Sequence, residues 1–182
     1  MQDLSNVLIE DGAILHCPDD FPGEFILPDG CTAIGRWAFH QCSVLTGIHI
    51  PDSVTTIDDR SFHGCSSLAS VCIPDRVGII QSGTFAQCTS LSTVRIPAGC
   101  KTIEAGAFEN CKSLSHVIVP EGCDVCKGAF PATCQIFRSA AEYRLHLAKE
   151  MAEEMVGDGV DIVGMHAPQI EQTVDSSGGR DI

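Results

Sequence analysis

From Ile50 to Pro120 the chain writes one 23-residue phrase three times and opens a fourth: IPDSVTTIDDRSFHGCSSLASVC, IPDRVGIIQSGTFAQCTSLSTVR, IPAGCKTIEAGAFENCKSLSHVI, then VPEGC. Pro51, Pro74, Pro97 and Pro120 keep the step, and Pro28 carries it back one unit. Phe39, Phe62, Phe85 and Phe108 keep it too, as do Cys42, Cys65, Cys88 and Cys111, with Cys134 following. A fixed period in this range is the signature of stacked coils. A unit this short cannot bury enough of its own surface to fold alone. Each coil must therefore cover the apolar edge of the next.

Aligned, the units place Leu45, Leu68, Leu91 and Leu114 in one column. Ile48, Val71, Val94 and Val117 fill a second, and Ile50, Ile73, Ile96 and Val119 a third. The last two columns stand two residues apart, the periodicity of a strand, so both should point inward. The outward residues are then Gly47 and His49, Ser70 and Cys72, Thr93 and Arg95, and His116 and Ile118. The proline after each strand cannot donate to a ladder, so it closes the strand and starts a turn. A second inward run follows, with Val54 and Ile57, Val77 and Ile80, and Cys100 and Ile103. Each phenylalanine then precedes a cysteine by three residues, a spacing that predicts one helical turn with both side chains inward. With strands about 4.8 Å apart, five coils make a stack roughly 25 Å long.

The unit I-P-x-x-V-x-x-I-x-x-x-x-F-x-x-C-x-x-L-x-x-V-x resembles the BspA-type leucine-rich repeat, an interaction module of bacteria and single-celled eukaryotes. The resemblance covers about residues 24 to 137 and is most specific over Leu27 to Pro120. It implies a mixed α/β repeat: a right-handed solenoid of about five 23-residue coils, closed by an N-terminal β-hairpin and a C-terminal α-helix. It also implies a scaffold without catalytic residues. The general leucine-rich consensus places Asn or Cys shortly after the strand. Here Ser53 takes that place and the cysteine ladder precedes the strand.

Charge is shared unevenly. Residues 27 to 120 hold 7 acids and 6 bases, residues 1 to 26 hold 6 acids and no base, and residues 121 to 182 hold 11 acids and 5 bases. The net −13 therefore belongs to the two ends. Such a chain repels nucleic acid and anionic lipid, which argues against both as partners. The segment Met1 to Glu24 lacks the basic start and apolar run of a secretory signal, and no stretch of the sequence is apolar enough to span a membrane. An intracellular, cytoplasmic protein is the expectation.

The domain reading runs as follows: residues 1–26 a hairpin cap, 27–136 the solenoid, 137–157 a capping helix, and 158–182 an extended acidic tail. Val7 to Leu15 reads as two strands around an Asp11-Gly12 turn, a strong hairpin signal that would cover the open end of the stack. Trp37 stands two before Phe39, where later units carry Arg60, Gly83 and Gly106. End-packing against the hairpin is the expectation for it, with a binding hot spot as the alternative. The fifth unit, from Val119, decays: Val125 and Phe130 stand near register, one residue is missing, and Pro131 interrupts. Ser139-Ala-Ala-Glu142 is a capping-box pattern. After it Ala140, Ala141, Leu147, Ala148, Met151, Ala152 and Met155 recur at helical spacing, with Gly157 as the stop. This stripe should lie on the last coil, leaving Glu142, Glu150, Glu153 and Glu154 in water. Beyond Gly157 the chain is Gly-, Asp- and Ser-rich, with small apolar islands at Val160 to Met165 and at Ile170. Alone such a tail would be disordered; an assembly partner could hold it as an extended peptide.

Eleven cysteines invite a disulfide or metal reading. Stacked coils would set neighbouring ladder positions within disulfide reach, but an inward thiol also behaves as a small buried apolar residue. Seven of the eleven, Cys42, Cys65, Cys88, Cys111, Cys134, Cys100 and Cys123, fall on repeat columns, which points to packing. Cys123-Asp-Val-Cys126, with Cys100, Cys111 and Cys134 near, is the best zinc candidate, yet only one close pair exists where structural zinc uses two. His40 and His63 share a column, and His49, Cys72 and His116 share the outer strand face without a ligand-like arrangement. Ser61 and Thr84 merely precede repeat phenylalanines. No thiol or hydroxyl is paired with a base outside the repeat columns, and no phosphate loop is present. The reading is thus a non-catalytic protein–protein interaction module with no cofactor and no metal, a structural subunit of an intracellular assembly. Its partner is another protein, met by Gly47, His49, Ser70, Cys72, Thr93, Arg95, His116 and Ile118. The alternative, which the resemblance implies, is a cell-surface adhesin or receptor-like protein.

Overall fold

The computed structural model describes residues 4–21 and 23–157. The chain divides into two units, Met1–Leu145 and His146–Ile182. The first begins with a hairpin, β1 (Leu8–Glu10) against β2 (Ala13–His16), antiparallel. Asp11 and Gly12 turn at φ 49° and 75°, the pair of left-handed residues that a tight two-residue hairpin turn requires. Leu4, Val7 and Ile9 pack from this end onto the core.

Two ladders of short parallel strands then alternate along the chain. One ladder takes β3 (Gly23–Ile26), β5 (Leu45–His49), β7 (Ser70–Cys72) and β9 (Thr93–Arg95), and then β11 (His116–Ile118) with β13 (Gln135–Phe137). The other joins β2 to β4 (Ala33–Ile34) and β6 (Thr56–Ile57), and then β8 (Ile79–Ile80) to β10 (Thr102–Ile103) and β12 (Asp124–Val125). Partners are one repeat apart, Ser70 with Thr93, Val71 with Val94 and Thr56 with Ala33, so the sequence period is the pairing register. Gly23–Ile26, which the domain reading places with the hairpin, is the first rung of its ladder. The proline carbonyl after each of β3, β5, β7, β9 and β11 accepts from the amide three residues on, as in Val54 to Pro51 (3.0 Å) and Cys100 to Pro97 (3.0 Å), so these strands end in the same turn.

The third side of each coil is the phenylalanine corner. Where the spacing predicts a helical turn, the chain instead makes successive tight turns, with Cys65 N–H on Phe62 C=O (3.2 Å) and Cys88 on Phe85 (3.2 Å). Alternate corner amides donate forward to the next coil, Phe39 to Ser61, Phe62 to Thr84, and Phe85 to Ala107. Two left-handed positions per coil bend the backbone this sharply: Trp37, Arg60, Gly83, Gly106 and Gly128 in one column, and Gln41, Gly64, Gln87 and Asn110 in the other.

Inside, the phenylalanines form one continuous pile. Phe39, Phe62, Phe85, Phe108 and Phe130 stack at 4.8 to 5.3 Å with planes within 12° of parallel. The leucine column and the ladder cysteines are fully buried. Of the predicted inward residues before the fifth unit only Ile48 is half-buried, and in the fifth unit Val125, Phe130 and Cys134 are half-buried as well. The thiols also do more than fill space. Cys65 donates to the carbonyl of Phe39 (3.0 Å), Cys88 to Phe62 (3.1 Å) and Cys111 to Phe85 (3.1 Å), which ties each coil to the one before it.

The last coil shrinks. Asp124 pairs with Thr102 after a step of 22, and Gln135 with His116 after a step of only 19. Helix α1 (Ala140–Gly157) follows, started by the predicted box: Glu142 N–H donates to Ser139 Oγ (3.1 Å), while the Glu142 carboxylate accepts from Arg138 N–H (2.6 Å). On α1, Leu145, Leu147 and Met151 are exposed, and Tyr143 and His146 are half-buried. The tail expected at 158–182 lies outside the described residues.

Candidate functional site

Strand alternation gives the first ladder an inner face that carries the core and an outer face that is accessible. On the outer face the register aligns Glu24, Gly47, Ser70 and Thr93 in one column and pairs Ile26 with His49 and Cys72 with Arg95 beside it. His116 with Gln135, and Ile118 with the buried Phe137, pair farther along. The eight positions singled out from sequence are therefore neighbours on one surface. Gly47, His49, Ser70, Cys72 and Arg95 line a depression of about 360 Å³. Thr93, Arg95, His116 and Ile118 line a second, of about 340 Å³. Arg95 borders both, and its guanidinium pairs with Asp75 at 3.0 Å.

The two ends of this face differ. At the early end the side chains are small, with Gly47 and Ser70 in the column, while Ile26 is 59% exposed on the neighbouring column. At the late end the chain covers its own surface. The Tyr143 ring stacks on His116 with centroids 4.4 Å apart and planes 13° from parallel, and also meets Phe137 at 5.1 Å. Arg138 reinforces this end by donating to the carbonyls of Cys123 (3.0 Å) and Pro120 (3.4 Å). Neither the capping pattern nor the helical period signals that Tyr143 would occupy His116.

Trp37 departs from expectation. Its ring meets His40 (4.5 Å) and His63 (5.5 Å) edge-on, and the Arg60 guanidinium sits over it at 5.1 Å. It packs forward onto the second coil, where the expectation put the hairpin behind it. His40 and His63 lie 5.2 Å apart, and His40 Nδ1 approaches the His63 carbonyl at 3.2 Å. Burial, then the nearby His40 and Arg60, hold the His63 imidazole below its ordinary value. The shared column of Trp37 with Arg60, and of His40 with His63, was the signal for this cluster.

The thiols divide by exposure. Cys72 and Cys126 are exposed and Cys134 is intermediate, while the other eight cysteines are buried, and all are free. Cys100 and Cys123 face each other with sulfurs 3.7 Å apart. Burial pushes the Cys100 thiol up to about 12, with Cys123 adding to it, and pushes Cys134 up to about 11. Thiols held protonated are poor nucleophiles and poor metal ligands. Among the described residues no three His, Cys, Asp or Glu side chains come together as a metal site. Cys126 is exposed, whereas Cys100 and Cys123 are buried. Ser61 and Thr84 are fully buried; Thr84 Oγ1 donates to the Gln81 carbonyl at 2.7 Å. The arrangement offers surface, hydrogen-bonding groups and charge. Among the described residues no helix is long and apolar enough to cross a membrane.

Comparison with known proteins agrees with this geometry. The family described as the BspA type leucine rich repeat region matches residues 22–136 in six copies. A leucine-rich repeat protein from Bacteroides ovatus has a similar solved structure, 26% identical, with a TM-score of 0.61 over 70% of this chain and 36% of that one. A leucine rich cell surface protein from Faecalibacterium prausnitzii is 35% identical, with a TM-score of 0.55 over 62% of this chain and 31% of that one. The T. pallidum leucine rich repeat protein is 28% identical, with a TM-score of 0.52 over 69% of each chain. The chain thus spans about a third of the length of the first two. No curated protein matches it.

Proposed function

Since the chain belongs to the BspA-type leucine-rich repeat family, we propose that it is a non-catalytic module that binds another protein through the outer face of its first strand ladder. The observation that carries this reading is the continuity of that face. Strands from Gly23 to Ile118 present their outward residues side by side, and two depressions joined at Arg95 run across them. Because the coils are locked in register by core and backbone alike, the face is rigid, and binding loses little conformational freedom. The mechanism is surface complementarity around a few anchoring side chains, with no bond made or broken.

Two settings fit such a module. One is a structural subunit of an intracellular assembly, in which the segment after Val156 is held by a neighbour; the Gly-, Asp- and Ser-rich composition of that segment, with its small apolar islands, motivates it. The other is a cell-surface binding protein, favoured by the 35% identity to the F. prausnitzii leucine rich cell surface protein. Affinity capture with the full chain, with Ser70→Arg, and with a chain ending at Val156 tests the proposal. The face is the docking surface if Ser70→Arg releases a partner that the full chain retains. Retention of every partner by Ser70→Arg would sink it. Release on truncation alone would move the site to the C-terminal segment.

A further inference from the structure

Resting on the strand face as the docking surface, we infer that its occupant is an extended segment whose lysine or arginine side chain seats over Gly47. The argument starts from a missing side chain. Gly47 is not among the glycines with left-handed φ, so the backbone does not demand glycine there. A Cβ at this point would stand 3.2 Å from Glu24 Cγ and 3.6 Å from its Cδ and Oε1. The residue is therefore a notch with a carboxylate leaning over its edge.

The charges around the notch do not cancel. Glu24 and Asp52 both line the depression, and neither forms an ion pair among the described residues. The guanidinium on the same wall, Arg95, is already taken by Asp75. An incoming cation therefore meets two open carboxylates and one neutralised pair. Beside them Ile26 is 59% exposed, an apolar surface on which the methylenes of a lysine or arginine can lie while the head reaches the carboxylates. The longer-range field has the same sign, since residues 1 to 26 carry 6 acids and no base, and this steers basic segments toward this end of the face. The late end, where Tyr143 covers His116, is closed to the same occupant.

The test uses the full chain and a short fluorescent peptide alternating threonine with lysine, beside its counterpart with glutamate for lysine, read by fluorescence anisotropy. The lysine peptide should bind at least roughly fivefold more tightly than the glutamate peptide. Glu24→Gln combined with Asp52→Asn should cost it about fivefold, as expected for two exposed charge contacts, and high salt should remove most of the preference. Gly47→Val fills the notch with a residue that strands favour; it should weaken the lysine peptide without lowering the melting temperature. No binding, equal binding of the two peptides, or binding unmoved by these variants overturns the inference. Failure here is separable from failure of the docking face. If Ser70→Arg still releases a captured partner, the face stands and only the basic occupant falls; if it releases nothing, both fall.

Discussion

Replacing Phe85 with leucine isolates what holds one coil to the next. Phe85 is fully buried, with the Phe62 ring 5.2 Å away at 3° and the Phe108 ring 5.3 Å away at 12°. Leucine keeps most of the apolar burial, so the loss is chiefly two ring–ring contacts at about 1 kcal/mol each. A small void adds about 1 kcal/mol more. Phe130 is half-buried at the end of the pile and, among the described residues, stacks on Phe108 alone, so Phe130→Leu should cost about 1 kcal/mol. For a chain of this size these losses lower the melting temperature by roughly 6–12 °C and 2–4 °C respectively. Urea unfolding followed by far-ultraviolet circular dichroism gives the free energies, provided the denaturant slope is unchanged. Pairs of substitutions sharpen the test. Phe62→Leu with Phe85→Leu removes one shared contact twice, so the double variant should fall short of additivity by about 1 kcal/mol. Phe39→Leu with Phe108→Leu shares neither a contact nor a stacking partner and should add to within about 0.5 kcal/mol. If Phe130→Leu cost as much as Phe85→Leu, or if both pairs added equally, stacking between neighbours would not be what stabilises the pile.

Further expectations concern the corner, the histidines and the thiols. Gly83→Ala places a side chain at φ 65° with its Cβ 2.8 Å from Arg60 Cγ; it should cost about 1–2 kcal/mol by thermal melting. Gly78→Ala, with no left-handed φ and open space around it, should stay within about 0.5 kcal/mol. Because the folded-state value of His63 lies below its unfolded one, the folded protein binds fewer protons there. That contribution is intact above about pH 6.5 and is lost as pH falls. Melting temperatures between about pH 7.5 and 5 should therefore decline less steeply in His63→Gln, and an identical slope would refute the assignment; His40, Arg60 and Glu109 are the charged neighbours to hold constant. Brief alkylation of the native protein followed by peptide mapping should mark Cys72 and Cys126 far ahead of the buried cysteines, and early labelling of Cys65 or Cys88 would contradict the packing.

Legibility followed the kind of constraint. Columns such as Leu45 to Leu114 and the outward Ser70 to Ile118 could be read because strand alternation and a fixed period leave each residue one direction to face. The decay of the fifth unit was visible at the missing residue near Val125, but the shortening to a 19-residue step at Gln135 was not, because Pro131 to Cys134 carry no repeat landmark. Helical spacing of Phe and Cys misled locally: a turn closed every three residues places two side chains much as a helix does. The left-handed columns were obscured because Trp37, Arg60, Gln41 and Gln87 occupy positions where Gly83, Gly106 and Gly64 hint at the need. Cys31 shares the inward column of Val54, Val77 and Cys100 and is buried, a match hidden by the weaker first unit. Arg60 over Trp37 follows from their shared column, whereas Tyr143 on His116 depends on side-chain reach that no period encodes.

The strict pairing of residues one unit apart has an evolutionary corollary. Removing or duplicating a whole number of units, for instance Ile73 through Arg95, joins surfaces already built to meet, so length can drift by unequal exchange between copies without redesign of the interior. An indel of one residue inside a strand instead exchanges wet and dry sides for everything up to the next turn. Lineages carrying this architecture should therefore differ in how many copies they hold far more readily than in the size of any one of them.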